Sequence, residues 1–294
     1  MPTELANIIV GTITLGFVYG LIGLGFVSIY RSTGVMSFAQ GSFMLIGAMV
    51  FYTFTTNPWH QSFIPGLIIM AALMFLAGCI VYRVVLGRIL GLDPLTVSVA
   101  TLGLSIVLQM IAFMVWGPSI VQYRSMLSFT GHDIGLNLRF NQVQLFTIVV
   151  GVVVTVGLMY LTGRTRVGLS MRAVAHSPAL SAYTGINVRR LSTVAWGIGA
   201  ATAGISGTVY GLATQVDPGS LPAIGLLAFP AMLLGGLDSI GGAVVGGFLL
   251  AAIQNVTQVT IGSVWQDVTS YGVLLIVLYL RPQGLFGSPV VTRL

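Results

Sequence analysis

Apolar runs of about twenty residues follow one another through this sequence, separated by short polar or glycine-rich stretches. A helix crossing roughly 30 Å of hydrocarbon needs about that many residues. The pattern predicts spans over 8–30, up to about 54, over 64–82, 95–116 and 143–162, and from 191 onward. Arg31 stops the first, Arg83 and Arg88 follow the third, and Asp93 with Pro94 turns the chain into the fourth. Two later runs, 222–234 and 268–280, are short for a span, and a longer one between them reaches about 261. Counting every run gives about nine crossings, with the N-terminus outside and the C-terminus inside. The expected fold is all-α: a polytopic integral membrane protein of about 8–9 transmembrane helices, some broken or re-entrant. No interval is long enough for a soluble domain, so residues 1–294 read as a single transmembrane domain.

The polar positions inside these runs refine the picture. After Arg31, the stretch STGVMSFAQGSFMLIGAMV puts Gly34, Ser37, Gln40 and Gly41 where a regular second span would begin. Non-helical backbone at membrane depth survives only where it is buried in protein or lines a cavity. The stretch therefore predicts a broken helix on a pathway, against the alternative of an interfacial helix start capped by Ser37. Thr101, Ser105 and Gln109 recur every four residues and share one helical face. That spacing suits interhelical hydrogen bonds for the Thr and Ser, and a pathway wall for Gln109. Gln254 and Gln258 share a face of the run ending near 261. Gly16 with Gly20, and Gly199 with Ala203, Gly207 and Gly211, predict close-packing helix faces. FAQGSFMLIGAMV at 38–50 and FPAMLLGGLDSIGGAVV at 229–245 echo one another. Such an echo marks either an inverted repeat or chance in a glycine-rich chain.

Composition narrows the function. The chain is 56% apolar and 6% charged, against about 25% charged in soluble domains. All twelve basic residues are Arg, so neither a Walker A lysine nor a Schiff base is available. The formal charge of +6 follows from the basic bias of cytoplasmic loops and does not point to nucleic acid. Cys79 is the single cysteine, which excludes disulfides within the chain. His60, His132 and His176 fall in loops, Arg124, His132, Asp133 and Arg139 in an outer loop lack metal-ligand spacing, and none of the six acids sits well inside a span. No catalytic set and no cofactor or metal site is expected, and the missing intramembrane carboxylate argues against proton coupling. A sodium-coupled carrier and a passive urea- or amide-type channel stay open on composition. The longest hydrophilic insert, RTRVGLSMRAVAHSPALSAYTGINVRR at 164–190, holds five Arg and no acid, which places it in the cytoplasm. Within it Ser177 predicts an N-cap, Pro178 the first helical position and Gly185 the end of a helix of about two turns.

Four stretches in order carry a resemblance: TGVMSFAQGSFMLIGA, VATLGLSIVLQ, MRAVAHSPALSAYTGINVRR, and LLAFPAMLLGGLDSIGGAVVGG followed by RPQGLFG. They resemble the permease subunits of branched-chain amino-acid ABC importers, LivH type. The resemblance implies a pore-forming subunit of the bacterial cytoplasmic (inner) membrane that pairs with a LivM-type permease. It also implies two cytoplasmic ATPases that bind the ATP, and a periplasmic or extracellular substrate-binding protein. On that reading Arg172, Ser177, Pro178, Ala182, Gly185 and Asn187 belong to the ATPase-coupling segment. Ser37, Gln40, Gly41, Thr101, Ser105, Gln109, Gln254 and Gln258 are then expected along a polar, uncharged route. A zwitterion can use such a route if helix ends meet its charges. Ser37 stands where the family often has Asn, and Ser42 where an acidic residue is common, which bears on the substrate.

Overall fold

The computed structural model describes residues 2–56, 63–89, 93–123, 132–133 and 139–287. The chain begins with α1 (Pro2–Thr33), α2 (Gln40–Thr56) and α3 (Phe63–Val81), which continues through a π-helical turn (Tyr82–Leu86) into the short α4 (Gly87–Ile89). Next come α5 (Pro94–Trp116), α6 (Gln142–Arg164), α7 (Arg166–His176), α8 (Pro178–Tyr183) and α9 (Val188–Ala213). The last elements are α10 (Leu221–Gly235), α11 (Ile240–Thr260) and, after a 3-10 turn (Ser263–Trp265), α12 (Gln266–Leu280). Strand pairing among the described residues is confined to β1 (His132–Asp133) with β2 (Arg139–Phe140) and a bridge between Val121 and Val216. Most of the mixed outer loop containing Arg124 and His132 lies outside the described residues or has undescribed side chains.

Caps set several helix starts. Asp93 accepts from the Leu95 N–H, and Asn141 and Gln144 form a reciprocal capping box at α6. α1, α3, α5, α6, α11 and α12, with their short extensions, each have the length and apolarity to cross a membrane. α2, α9 and α10 complete the alternation. The 15-residue α10, about 22 Å long, is preceded by a turn tied to α5 and, through Val216, to Val121. At its other end the next turn receives the Arg31 guanidinium on the Asp238 carbonyl. α10 therefore runs from the outer side toward the Arg-rich side. That side also holds Arg83, Arg88, Arg164, Arg166, Arg172, Arg189, Arg190 and Arg281, and is cytoplasmic by the positive-inside rule.

Packing relates α1–α3 to α9–α11 as an inverted arrangement, but the echoing stretches are not its equivalent parts: 38–50 opens α2, whereas 229–245 closes α10 and opens α11. α1 packs on α11 and α9 on α3, besides the large contact of α1 with α9, while α2 lies on α9 as α10 lies on α1. α1 runs toward the cytoplasm and α9 away from it. Glycines carry the contacts of α3 with α9 and of α11 with α1. A Cβ on Gly78 of α3 would overlap the Trp196 carbonyl and the Ala200 side chain of α9. Correspondingly, one on Gly247 of α11 would sit 2.6 Å from Gly20 N and 3.0 Å from Gly16 O of α1. Backbone approach of this kind replaces the hydrophobic driving force that lipid removes. The two motifs at the C-terminal end also meet: the Leu234 and Gly235 carbonyls, orphaned where α10 stops, accept from Leu285 and Phe286 N–H.

Candidate functional site

The stretch after α1 is broken, as its sequence predicts. α1 ends at Thr33, Gly34 takes φ +68°, and residues 34–39 return non-helically before α2 starts at Gln40. Ser37 is no helix cap, because its hydroxyl has no hydrogen-bond partner.

The Thr101, Ser105 and Gln109 stripe of α5 measures the depth of this break. Thr101 Oγ1 accepts from Phe38 N at 2.9 Å and donates to Ser98 O. Ser105 shares a hydrogen bond with Ser42 of α2 at 2.8 Å. Gln109 Nε2 donates to Pro218 O at 3.2 Å, in the turn before α10. These residues span about 12 Å in the middle of a helix about 34 Å long. The chain therefore dips inward from the cytoplasmic side before α2 and from the outer side before α10. Both helices begin near mid-depth. Their starts touch: a Cβ on Gly41 would overlap the Pro222 carbonyl, and one on Gly225 would lie 2.5 Å from Gly41 Cα.

Buried polar atoms collect at this meeting point. Four buried side-chain N or O atoms among the described residues have no hydrogen-bond partner; three belong to Ser37 and Gln40, and the fourth is Trp196 Nε1. Gln40 is 0% exposed and Ser37 1%. The Gln40 amide is wedged between α1 and α9. A Cβ on Gly25 would sit 3.0 Å from its Nε2 and 2.6 Å from Thr202 Oγ1, and one on Gly199 would sit 3.1 Å from that same Nε2. Burying an amide unpaired costs about 1–3 kcal/mol for each group left unsatisfied. Either orientation of the amide offers one donor face and one acceptor face. Beside it the Phe38 and Phe229 rings stand 5.6 Å apart, with Phe26 6.1 Å from Phe229. The site combines uncharged donors and acceptors, two helix N-termini carrying partial positive charge, and an aromatic wall.

The remaining predicted residues lie elsewhere. Gln254 Oε1 accepts from Tyr19 at 2.8 Å, joining α11 to α1. Gln258 is exposed and bonded to Gln266. Thr101, Ser105 and Gln109 hold the two breaks in place, so Ser37, Gln40 and Gly41 are the predicted route residues the structure brings together. Phe229, Pro222 and Thr202 join them. The echo already contained Phe229; the other two become visible only through packing.

The cytoplasmic insert forms two helices. Ser177 Oγ accepts from Leu180 N at 3.3 Å, Pro178 starts α8, and Gly185 at φ +83° ends it with the Ile186 N–H bonded to Ser181 O. Asn187 caps α9 by accepting from Arg190 N at 3.0 Å. α7 is the addition to the expected layout. Thr165 caps it, and it buries Gly168, Met171 and Val174 at helical spacing against α6, α1 and α9. Arg172 reaches back to the Gly163 carbonyl at 3.5 Å. Ala182 and Gly185 are exposed, as are Leu180 and Tyr183, the last at 89%. α8 packs on α7 and on α9, and α7 packs on α1; α1 and α9 are the two helices that clasp Gln40.

The family model described as "Branched-chain amino acid transport system / permease component" matches residues 8–278. The chain belongs to this permease family. The permease is 28% identical over 300 residues to the high-affinity branched-chain amino acid transport system permease protein BraD of Pseudomonas aeruginosa, covering 97% of this chain and 96% of that one. It is 27% identical to the corresponding LivH of Escherichia coli, over 96% and 95%. It is 25% identical to the probable branched-chain amino acid transport permease protein LivH of Methanocaldococcus jannaschii, over 95% and 92%. No solved structure matches the permease. It is a multi-pass protein of the cytoplasmic membrane and a component of a transport system.

Proposed function

We propose that this permease is one membrane domain forming the translocation path of an ATP-driven importer for branched-chain amino acids or close relatives. The path runs between α1, α2, α9 and α10, and passes Ser37 and Gln40. The observation that carries the reading is the pair of buried, unpartnered polar side chains where two helix starts meet at mid-depth. A zwitterion supplies what they lack: its ammonium donates to the amide oxygen, and its carboxylate accepts from the amide N–H and from the N–H groups opening α2. The rings of Phe26, Phe38 and Phe229 suit a branched aliphatic side chain. Having no Lys, the chain draws its work from separate ATPase subunits, which dock on α8 and the exposed Leu180, Ala182 and Tyr183. A second, LivM-type permease and an external binding protein complete the assembly.

Purification of the tagged chain from its native membrane in gentle detergent tests the assembly. Two P-loop ATPases and a second polytopic chain are expected to co-purify, and leucine uptake by the reconstituted complex is expected to need ATP. A chain that purifies alone and carries leucine without ATP would overturn the reading.

A further inference from the structure

Where α3 leaves the apolar layer, its π-helical turn packs on α9, and Arg189 of α9 reaches over Gly87 at the head of α4. Between them is a cavity of about 380 Å³ lined by Arg83, Asn187, Arg189, Arg190 and Thr193. Three of its five lining residues are arginines and none is an acid. Arg189 lies over the α3 extension, its Nε and Nη2 3.7 Å from where a Cβ on Gly87 would stand. Three like charges around one concavity repel unless an anion sits among them. A planar guanidinium suits phosphate oxygens in particular, because it donates two parallel hydrogen bonds.

The neighbouring surface distinguishes a lipid from a soluble anion. Leu76, Ile80 and Val84 recur every four residues along α3 and its extension, and are 55%, 60% and 53% exposed. Arg83 shares their face. An apolar stripe thus runs from the membrane interior straight into the basic cavity, and basic pockets between transmembrane helices on the cytoplasmic side suit anionic headgroups. We propose that this cavity binds the phosphate of an anionic phospholipid of the inner leaflet, with an acyl chain along Leu76, Ile80 and Val84. The bound lipid anchors the cytoplasmic end of α9, about 15 Å along the same helix from Gly199 and the Gln40 amide.

The test is native mass spectrometry of the purified transporter complex, offered equimolar phosphatidylglycerol and phosphatidylcholine, with and without millimolar inorganic phosphate. Wild-type protein is expected to retain phosphatidylglycerol preferentially and to keep it in phosphate. Arg83→Gln with Arg189→Gln is expected to lose that preference about tenfold. Arg164→Gln with Arg281→Gln removes the same charge from the same side at exposed positions, and is expected to keep it. Equal loss in both pairs would reduce the effect to bulk charge and overturn the proposal. Displacement of the lipid by phosphate would assign the cavity to a soluble phosphate-bearing anion instead, and overturn the lipid assignment. If the Gln pair does not survive purification, Arg83→Lys with Arg189→Lys keeps the charges and removes the paired donors. That variant is expected to lose about threefold, and unchanged retention would overturn the proposal.

Discussion

The two places where the chain dips into the membrane begin alike and end differently. Before α10 the turn is satisfied: Asp217 accepts from Gly219 N at 2.9 Å and Ser220 Oγ at 2.8 Å, Pro218 O accepts from Gln109, and Val216 pairs with Val121. Before α2 the backbone is tied to Thr101, yet the Ser37 hydroxyl and both Gln40 amide atoms, though fully enclosed, bond to nothing. Related geometry thus serves two ends. One half of the inverted pair is a finished structural turn, and the other keeps unused hydrogen-bonding capacity on the proposed route. The pseudo-symmetry belongs to the scaffold; the chemistry is asymmetric.

The contact between the two helix starts is where a substitution is expected to cost most. Gly41→Val drives side-chain atoms into the Pro222 carbonyl and is expected to cost more than about 4 kcal/mol, leaving little folded permease on fluorescence-detected size exclusion. Gly103→Ala, with nothing within 4 Å of the added methyl, is expected to leave abundance unchanged. Next comes the functional contrast. Gln40→Leu removes an unpaired buried amide, so melting temperature is expected to hold or rise while leucine uptake falls at least about tenfold. A residue of purely structural value would lose stability and uptake together. The docking segment follows: Ala182→Asp with Gly185→Asp is expected to leave the permease folded, abolish uptake, and uncouple ATP hydrolysis from substrate. Gly185 adds strain to this change, since an aspartate there must hold φ +83°.

Smaller effects test the two breaks separately. Thr101→Val removes the acceptor for Phe38 N and is expected to cost about 1–2 kcal/mol, read as a lower melting temperature. At the outer turn, the Gly219 N–H bond first and the Ser220 hydroxyl second hold the Asp217 carboxyl below its ordinary pKa. A group whose folded pKa is depressed stabilises above its unfolded pKa, and that contribution fades as pH falls through the folded value. The turn is therefore expected to be insensitive between pH 8 and 5, by the ordinary carboxylate range of about 4, and to loosen below it. Hydrogen exchange at Gly219 and Ser220 is the readout, and Asp217→Asn is expected to remove the pH dependence.

Much of this was legible in the residues. The spans, the break at Gly34 to Ala39, the helix bounded by Ser177 and Gly185, and the approach surfaces at Gly20 and Gly207 all follow from local pattern, because each is set by residues close in sequence. α7 was less visible: its apolar face has only Gly168, Met171 and Val174, set among arginines, although Thr165 was an available cap. The depth of the two breaks was not legible. It depends on α5, whose spacing suggests interhelical ties at Thr101 and Ser105 and a pathway wall at Gln109 but not that their partners are Phe38, Ser42 and Pro218. Gln40 and Gln254 look equivalent as buried amides, and only the Tyr19 hydroxyl on Gln254 tells them apart.

The claim that the route passes the break before α2 has a direct test, because Cys79 is the only cysteine and its thiol donates one hydrogen bond, to the Thr193 carbonyl. In a Cys79→Ala background, Ser37→Cys would be exposed to a membrane-impermeant thiol reagent in vesicles carrying the complete transporter. Labelling during ATP-driven turnover that saturating leucine suppresses is the predicted result. A thiol that stays unlabelled throughout turnover, or labels at one rate with and without leucine, would contradict the placement of the path.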